Sequence, residues 1–253
     1  YGTDGRIWGG EVLLADFAGF ERSAHFEYVP MPGGAAAIHE PWRMAVSYLA
    51  HHFGDEFLRM RLPFLAAIER SRLDVLLRIQ ERRVNSPLTS SCGRLFDAVA
   101  AIAGIRNRVT YEAQAAIEFE MAAADFDASD AYSFDLAEEM NADHLILTTR
   151  SMFEELLDDV HHGVPNSVIS RRFHNGLANI FVRTAGILRE RTSLNRVCLS
   201  GGTFNNLCLT TRMVSELSSR DFEVFTQNEV PAGDGGLSLG QAMVAAHTAK
   251  TRM

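Results

Sequence analysis

Apolar residues divide the chain into short runs of strand length and longer stretches with helical spacing. Residues 6–17 and 21–30 are two apolar runs on either side of Ala18-Gly19, and they predict an antiparallel hairpin. Four further short runs predict strands at residues 132–136, 144–148, 197–199 and 223–226. Elsewhere apolar residues recur every three or four positions, which predicts helices. We expect these helices at residues 42–50, 55–83, 95–102, 114–124, 149–162, 165–188, 204–217 and 237–245. Within residues 55–83, we expect Pro63 to separate two helices or to lie in the first turn of the second.

One stretch, residues 196–206, organises the rest of the chain. A short apolar run ends abruptly at Ser200-Gly201-Gly202, and a predicted amphipathic helix follows. Two glycines let the backbone approach a ligand, and a helix start offers unpaired N–H groups at a positive dipole end. This pattern is typical of a phosphate-binding turn. Two glycines are also found in ordinary tight turns between a strand and a helix of an α/β domain. Such turns are commoner than phosphate-binding turns.

Several polar residues lie beside similar turns. Glu11 follows Gly9-Gly10 and could contact a ligand or be a solvated strand carboxylate. Ser90 and Ser91 precede a predicted helix, where serines serve as N-caps or as phosphate contacts. Asp234 precedes Gly235-Gly236 at the last helix and could cap it or hold a cation near phosphates.

Three histidines are of less interest from the sequence. His51 and His52 adjoin on a predicted helix, where neighbours point about 100° apart, which disfavours a shared metal. His174 lies in the middle of the longest predicted helix. A hydrogen-bonded packing role is the more typical one there.

Composition narrows the class of protein. The chain has 253 residues, 47% of them hydrophobic, as is usual for a globular protein, and a net charge of −8 without a long Lys/Arg run. That charge disfavours a general nucleic-acid or anionic-membrane binder. Three widely spaced cysteines are typical of reduced, mostly buried thiols in a cytoplasmic protein. The chain begins in a turn sequence without Met, and we expect it to be a piece of a longer polypeptide.

Seven stretches, taken together, resemble the C-terminal, carbamoyl-transferring domain of the HypF hydrogenase maturation carbamoyltransferases. They follow one another in the family's order and run nearly from end to end of the chain. The stretches are residues 4–11, 40–45, 90–100, 111–118, 172–175, 199–206 and 234–242.

The resemblance implies an α/β fold of the actin-like ATPase class (ASKHA, ribonuclease H-like, TsaD-like), with a mixed sheet and a helical insertion. Within a carbamoyltransferase domain fragment over residues 1–253, it implies the remainder of a first-lobe hairpin over 1–36. The helical insertion would cover 37–88, and the nucleotide-binding second lobe 89–253. The family is similar to the enzymes that transfer threonylcarbamoyl to tRNA.

The implied chemistry is ATP-dependent. A carbamoyl-adenylate, made elsewhere in the same polypeptide, would pass its carbamoyl group to the C-terminal cysteine thiol of the partner HypE, for the cyanide ligand of nickel–iron hydrogenase. The implied cofactors are ATP or carbamoyl-adenylate and a divalent metal (Mg, Fe or Zn), and the implied partners are HypE and the upstream domains. Neither DNA nor a membrane is implied. O-carbamoylation of a small-molecule hydroxyl, a non-catalytic nucleotide-binding lobe and a sugar-kinase-like enzyme remain alternatives.

The resemblance also implies site residues. Asp234 matches the metal-ligand Asp of the family, and no catalytic residue is assigned because the partner supplies the nucleophile. The implied nucleotide-binding residues are Gly10, Glu11, Ser90, Ser91, Gly93, Gly201, Gly202 and Asn206.

The chain departs from the family pattern at four points. Thr203 and Asn205 replace commoner Val and Gln, and Ala113 stands where Gly is common. The family's His-rich metal motif and Asp-Gly-Thr-Gly loop are not in this sequence. We therefore expect weak metal binding, and no catalysis, from this chain alone.

Overall fold

A computed structural model describes residues 1–123, 130–138 and 144–251. Ala124, the predicted end of one helix, lies outside these residues. The strands are β1 (Glu11–Ala15), β2 (Phe20–Phe26), β3 (Val29–Pro30), β4 (Leu88–Thr89), β5 (Asp135–Glu138), β6 (Leu145–Thr148), β7 (Arg196–Cys198) and β8 (Glu223–Phe225). The helices are α1 (Ala36–His39), α2 (Trp42–Phe53), α3 (Pro63–Ala66), α4 (Arg70–Glu81), α5 (Cys92–Ile102), α6 (Gln114–Ala123), α7 (Arg150–His161), α8 (Asn166–Thr192), α9 (Leu207–Ser218) and α10 (Leu237–Thr251).

The largest sheet is mixed and has the strand order β1-β2-β6-β5. β1 and β2 form the predicted antiparallel hairpin, β2 pairs with β6 in parallel, and β5 pairs antiparallel with β6. The register of the hairpin shifts between Val12 and Leu13, so a bulge lies just after the Gly9-Gly10 pair. One face of the sheet is buried by alternate residues, as in Ala24 and Phe26 of β2.

The core lies where helices α2, α5, α7 and α8 meet the buried face of this sheet. α5 carries small apolar residues around its circumference and is almost wholly buried. Its Phe96 ring meets Phe173 of α8 edge to face at 4.9 Å. Tyr48 of α2 stacks on Phe153 of α7 at 5.0 Å. These contacts hold the start of α5 in a fixed position beside β1.

Residues 55–83 do not form one continuous helix, and Pro63 lies in the first turn of a helix, as expected. Gly54 has a φ of 54° and ends α2, a 3-10 helix covers Gly54–Arg59, and Pro63 begins α3. Helix α4 follows, and its Val75 is 56% exposed rather than part of an apolar face. The break follows from proline, which cannot donate the backbone hydrogen bond that a continuous helix needs.

The last part of the chain is more open. β7 and β8 form a separate two-stranded parallel sheet, packed by α9. The strand predicted as buried is only half-buried at Val197. Cys198, expected inside with the other thiols, is exposed, whereas Cys92 is buried and Cys208 intermediate. Among the described residues, no helix is long and apolar enough to cross a membrane.

Candidate nucleotide site

The first glycine pair is packed against the chain itself. The loop that precedes α5 donates from Ser90 N–H to Ile7 O (3.0 Å) and from Cys92 N–H to Gly9 O (3.0 Å). A Cβ atom at Gly10 would lie 2.5 Å from the Ser90 carbonyl oxygen. Glycine is therefore required at this position for close backbone packing.

The Glu11 carboxylate closes this region. It accepts hydrogen bonds from Gly10 N–H (2.7 Å), from Gly9 N–H, from Arg22 Nη2 (2.8 Å) and from the Ser90 hydroxyl. The side chains of Glu11 and Arg22 are only 8% and 10% exposed. We call Gly9, Gly10, Glu11, Arg22 and Ser90 the closed cluster. Glu11 is thus neither a solvated strand carboxylate nor a group with free acceptor oxygens for a ligand.

The second glycine pair stands beside Asp234. Gly201 has a φ of 108°, which favours glycine, and its N–H donates to Ala232 O at 2.8 Å. A Cβ atom at Gly233 would lie 3.5 Å from Gly202 Cα. We call Gly201, Gly202, Thr203 and Asp234 the open rim, because Gly202 and Asp234 are exposed.

The closed cluster and the open rim are connected through Cys92. Its thiol is hydrogen-bonded to the Thr203 side chain, and burial raises the pKa of this cysteine to about 12. The thiol therefore stays protonated at neutral pH. Through this contact the predicted nucleotide-binding residues on the loop before α5 and on the glycine turn before α9 lie in one region of the molecule.

The start of α9 does not offer the unpaired N–H groups expected from the sequence. The Glu120 carboxylate accepts from Leu207 N–H (2.6 Å) and Cys208 N–H (3.3 Å). Asn206 Oδ1 accepts from Leu209 N–H at 2.8 Å. A carboxylate from α6 thus occupies the positive end of the helix, where an anion would otherwise bind. No local sequence signal reveals this contact, because its partners are 87 residues apart.

Asn206 has a second buried partner. Its Nδ2 donates to His174 Nε2 at 2.8 Å, and His174 Nδ1 donates to Ser170 O at 2.7 Å. Burial lowers the pKa of His174 to about 4, so the ring is neutral at pH 7 and can accept this bond. The packing role predicted for His174 is confirmed. Both polar ends of the Asn206 side chain are engaged within the protein.

Asp234 and Ser91 keep their polar atoms available. Asp234 is the first residue of a 3-10 helix, Asp234–Gly236, whose N-cap residue is Gly233, and the Asp234 side chain is exposed. Ser91 is the N-cap residue of α5 and makes no side-chain capping bond there. An exposed carboxylate oxygen fits one ligand position of a hard divalent cation. Contact of any of these residues with a nucleotide stays a prediction.

Comparison with known proteins identifies the family. The family model for the carbamoyltransferase Kae1-like domain, second subdomain, matches residues 1–241. A HypF homologue from Cupriavidus necator is 34% identical over 97% of this chain and 62% of its own length. HypF from Rhodobacter capsulatus is 38% identical over 97% of this chain and 31% of its own length.

Solved structures agree with the sequence comparison. A crystal structure of full-length HypF in the phosphate- and nucleotide-bound form superposes with a TM-score of 0.90 at 37% identity. The match covers 97% of this chain and 31% of that chain. HypF from T. kodakarensis gives a TM-score of 0.83 at 28% identity, covering 96% of this chain and 32% of that one. The predicted mixed α/β, actin-like fold is confirmed. This chain, which spans about three fifths or less of the relatives it matches, belongs to the HypF carbamoyltransferase family.

Proposed function

We propose that this chain supplies part of the nucleotide-binding site of a carbamoyltransferase that uses a carbamoyl-adenylate. The carbamoyl group passes to the C-terminal cysteine thiol of a HypE-type maturation protein, for synthesis of the cyanide ligand of nickel–iron hydrogenase. The observation that carries the proposal is the open rim, where a glycine turn lies next to an exposed carboxylate. The nucleotide-bound HypF structure, similar over nearly all of this chain, supports it.

The open rim has the groups that a phosphate needs. Among the described residues, the N–H groups of Gly202 and Thr203 donate to no protein acceptor. Such N–H groups stabilise phosphate oxygens without a side-chain charge. Asp234 would hold a divalent cation, which neutralises phosphate charge when bound. With one carboxylate in the set, further ligands come from phosphate, water or other parts of the full-length protein.

Ser90 and Ser91 differ in whether their hydroxyl groups are already hydrogen-bonded within the protein. The Ser90 hydroxyl donates to Glu11 within the closed cluster, whereas the Ser91 hydroxyl has no protein partner among the described residues. Ser91 is therefore the better candidate for a nucleotide contact. Gly93 lies one residue inside α5 and leaves space beside Ser91.

The experiment is a transfer assay with the full-length protein, carbamoyl phosphate, ATP and a HypE-type partner, read by the mass of the partner. We expect one added carbamoyl group on the C-terminal cysteine and loss of transfer in Asp234→Ala. Asp55→Ala is the matched control, because Asp55 is also an exposed acid in the first turn of a 3-10 helix. Unchanged transfer by Asp234→Ala would remove the metal assignment.

The same assay distinguishes the alternatives. Carbamoylation of a small-molecule hydroxyl in the absence of the partner would support O-carbamoyl transfer. Binding of an ATP analogue without any transfer, under conditions where carbamoyl-adenylate forms, would support a non-catalytic lobe.

A further inference from the structure

Glu27, His51 and His52 form a cluster outside the open rim. Glu27 follows β2, the two histidines lie near the end of α2, and the Phe153 ring of α7 lies 5.4 Å from the His52 ring. One ligand atom from each residue lies within 4.8 Å of the other two, the only such convergence of three ligating side chains among the described residues.

The separations match those of a tetrahedral metal site. Glu27 Oε2 lies 3.2 Å from His51 Nε2, and Glu27 Oε1 lies 3.6 Å from His52 Nε2. Zinc bonds of about 2.0–2.1 Å in a tetrahedron place neighbouring ligand atoms about 3.3 Å apart. Because the two rings face different Glu27 oxygens, the side chains must shift before one carboxylate oxygen and both ring nitrogens share an ion.

His51 and His52 by themselves are poorly placed to bind a common metal ion. Neighbouring residues do leave a helix about 100° apart. Glu27 lies between them, however, and each of its oxygens faces one ring. The carboxylate thus brings together two side chains that could not reach a common ion unaided.

The ligands are held by a second layer of contacts. Thr149 donates to Glu27 Oε1 from its N–H (2.6 Å) and from its hydroxyl (2.7 Å). Such contacts orient metal ligands and raise affinity. Because the Thr149 hydroxyl donates its hydrogen to Glu27, it accepts from His52 Nε2–H at 2.9 Å. Metal binding needs that nitrogen's lone pair, so the proton of His52 would move to Nδ1.

The environment suits a metal with one open position. The side chain of His52 is 4% exposed, and its burial lowers the pKa of the ring to about 4, so it is neutral at pH 7. The side chain of His51 is 36% exposed, which leaves room for a water as fourth ligand. Two imidazoles and a carboxylate suit zinc better than calcium or magnesium.

We propose that Glu27, His51 and His52 bind one Zn²⁺ ion, with a water as the fourth ligand, and that the ion joins the end of α2 to the segment that follows β2. The site uses no residue of the open rim. It is therefore separate from the metal expected at Asp234.

The experiment uses the full-length protein, stripped of metal with a chelator and titrated with Zn²⁺ by calorimetry. Bound zinc is counted by mass spectrometry. We expect His51→Ala to bind one zinc fewer than the wild type. The matched control is His161→Ala/His162→Ala, which removes another adjacent pair at a helix end; within the described part of the chain, this pair belongs to no group of three converging ligands. The control variant should bind as much zinc as the wild type.

Two more variants separate metal binding from folding. Thr149→Val keeps all three ligands but frees the Glu27 carboxylate, and we expect zinc affinity at this site to fall about 10–100-fold. Asp234→Ala should leave the difference between wild type and His51→Ala unchanged. Zinc should raise the thermal midpoint of the wild type more than that of His51→Ala. Equal zinc content in the wild type and a folded His51→Ala variant would overturn the proposal.

Discussion

The closed cluster and the open rim begin from the same local sequence feature, a glycine pair next to a strand, and end in opposite states. At Gly9-Gly10 the amides donate to Glu11, and Arg22 and Ser90 complete a buried set of partners. At Gly201-Gly202 the second amide donates to no acceptor in the described residues, and the nearby Asp234 is exposed. A neighbouring carboxylate that folds back onto its own turn decides which glycine pair can receive an anion.

The largest effect should come from breaking the closed cluster. Glu11→Ala removes the buried partner of Arg22, and we expect a loss of about 3–5 kcal/mol in the free energy of unfolding. Glu21→Ala, an exposed acid on the same hairpin, should change it by less than about 0.5 kcal/mol. Chemical denaturation of both variants measures the difference. A Glu11→Ala variant as stable as the wild type would show that the cluster is not structural.

A slightly smaller effect is expected at Asn206, below the open rim. Asn206→Ala removes the cap of α9, which costs about 1 kcal/mol, and leaves the buried His174 Nε2 without a donor, for about 1–3 kcal/mol more. Asn206→Ser is the control, because it keeps a capping oxygen and loses the amide donor to His174 without adding a charge. Thermal unfolding should therefore rank the wild type above Asn206→Ser, and Asn206→Ser above Asn206→Ala.

The third effect depends on pH and concerns α5, which joins the two regions. Burial raises the pKa of Asp97 to about 7, although the positive charge of Arg94 acts to lower it. Arg94 Nη1 lies 2.8 Å from Asp97 Oδ2 but does not form an aligned hydrogen bond with it. Between pH 4 and 7 the folded protein therefore holds a proton that the unfolded chain has released. The stability this provides is complete below pH 4 and is lost as the pH rises through about 7.

Asp97→Asn should lack this loss. Relative to the wild type, its free energy of unfolding should rise by about 1 kcal/mol per pH unit between pH 5 and 7. Denaturation at several pH values measures the trend. Asp74→Asn, in an exposed pair with Arg70, should show no such slope. Parallel pH profiles for Asp97→Asn and the wild type would contradict the burial argument.

The smallest effect on stability is expected at Asp234, since its side chain is exposed. Asp234→Ala should change the free energy of unfolding by less than about 0.5 kcal/mol. The difference between the stability losses of Asp234→Ala and Glu11→Ala tests the comparison of the open rim with the closed cluster most directly. A loss above 1 kcal/mol in the same denaturation experiment would mean that the open rim is engaged in folding.

The sequence predicted elements well where hydrophobic spacing is local. The hairpin, the start of α2 after Pro41, and α7 and α8 follow from apolar spacing and from proline at a helix start. It failed for partners far apart in the chain. Neither the Glu120 contact at α9 nor the Glu11–Ser90 bond has a periodic signal, because each depends on tertiary packing.

Ala113 shows a third kind of limit. The resemblance marked it as a position where Gly is common, and we expected a narrowed close approach. The structure gives Ala113 a φ of 59°, the left-handed region that favours glycine. Backbone conformation therefore accounts for the preference at this position.

The small sheet of β7 and β8 has a consequence for how a ligand would act. Two strands alone form a marginal sheet, and here they carry the turn with the free amides. A phosphate bound there would order the glycine turn. The entropy that the chain loses on ordering would offset part of the favourable free energy of binding. Phosphate binding would then make β7 and β8 more rigid. Slower amide hydrogen exchange in these two strands would therefore reveal binding, even at residues that do not touch the phosphate.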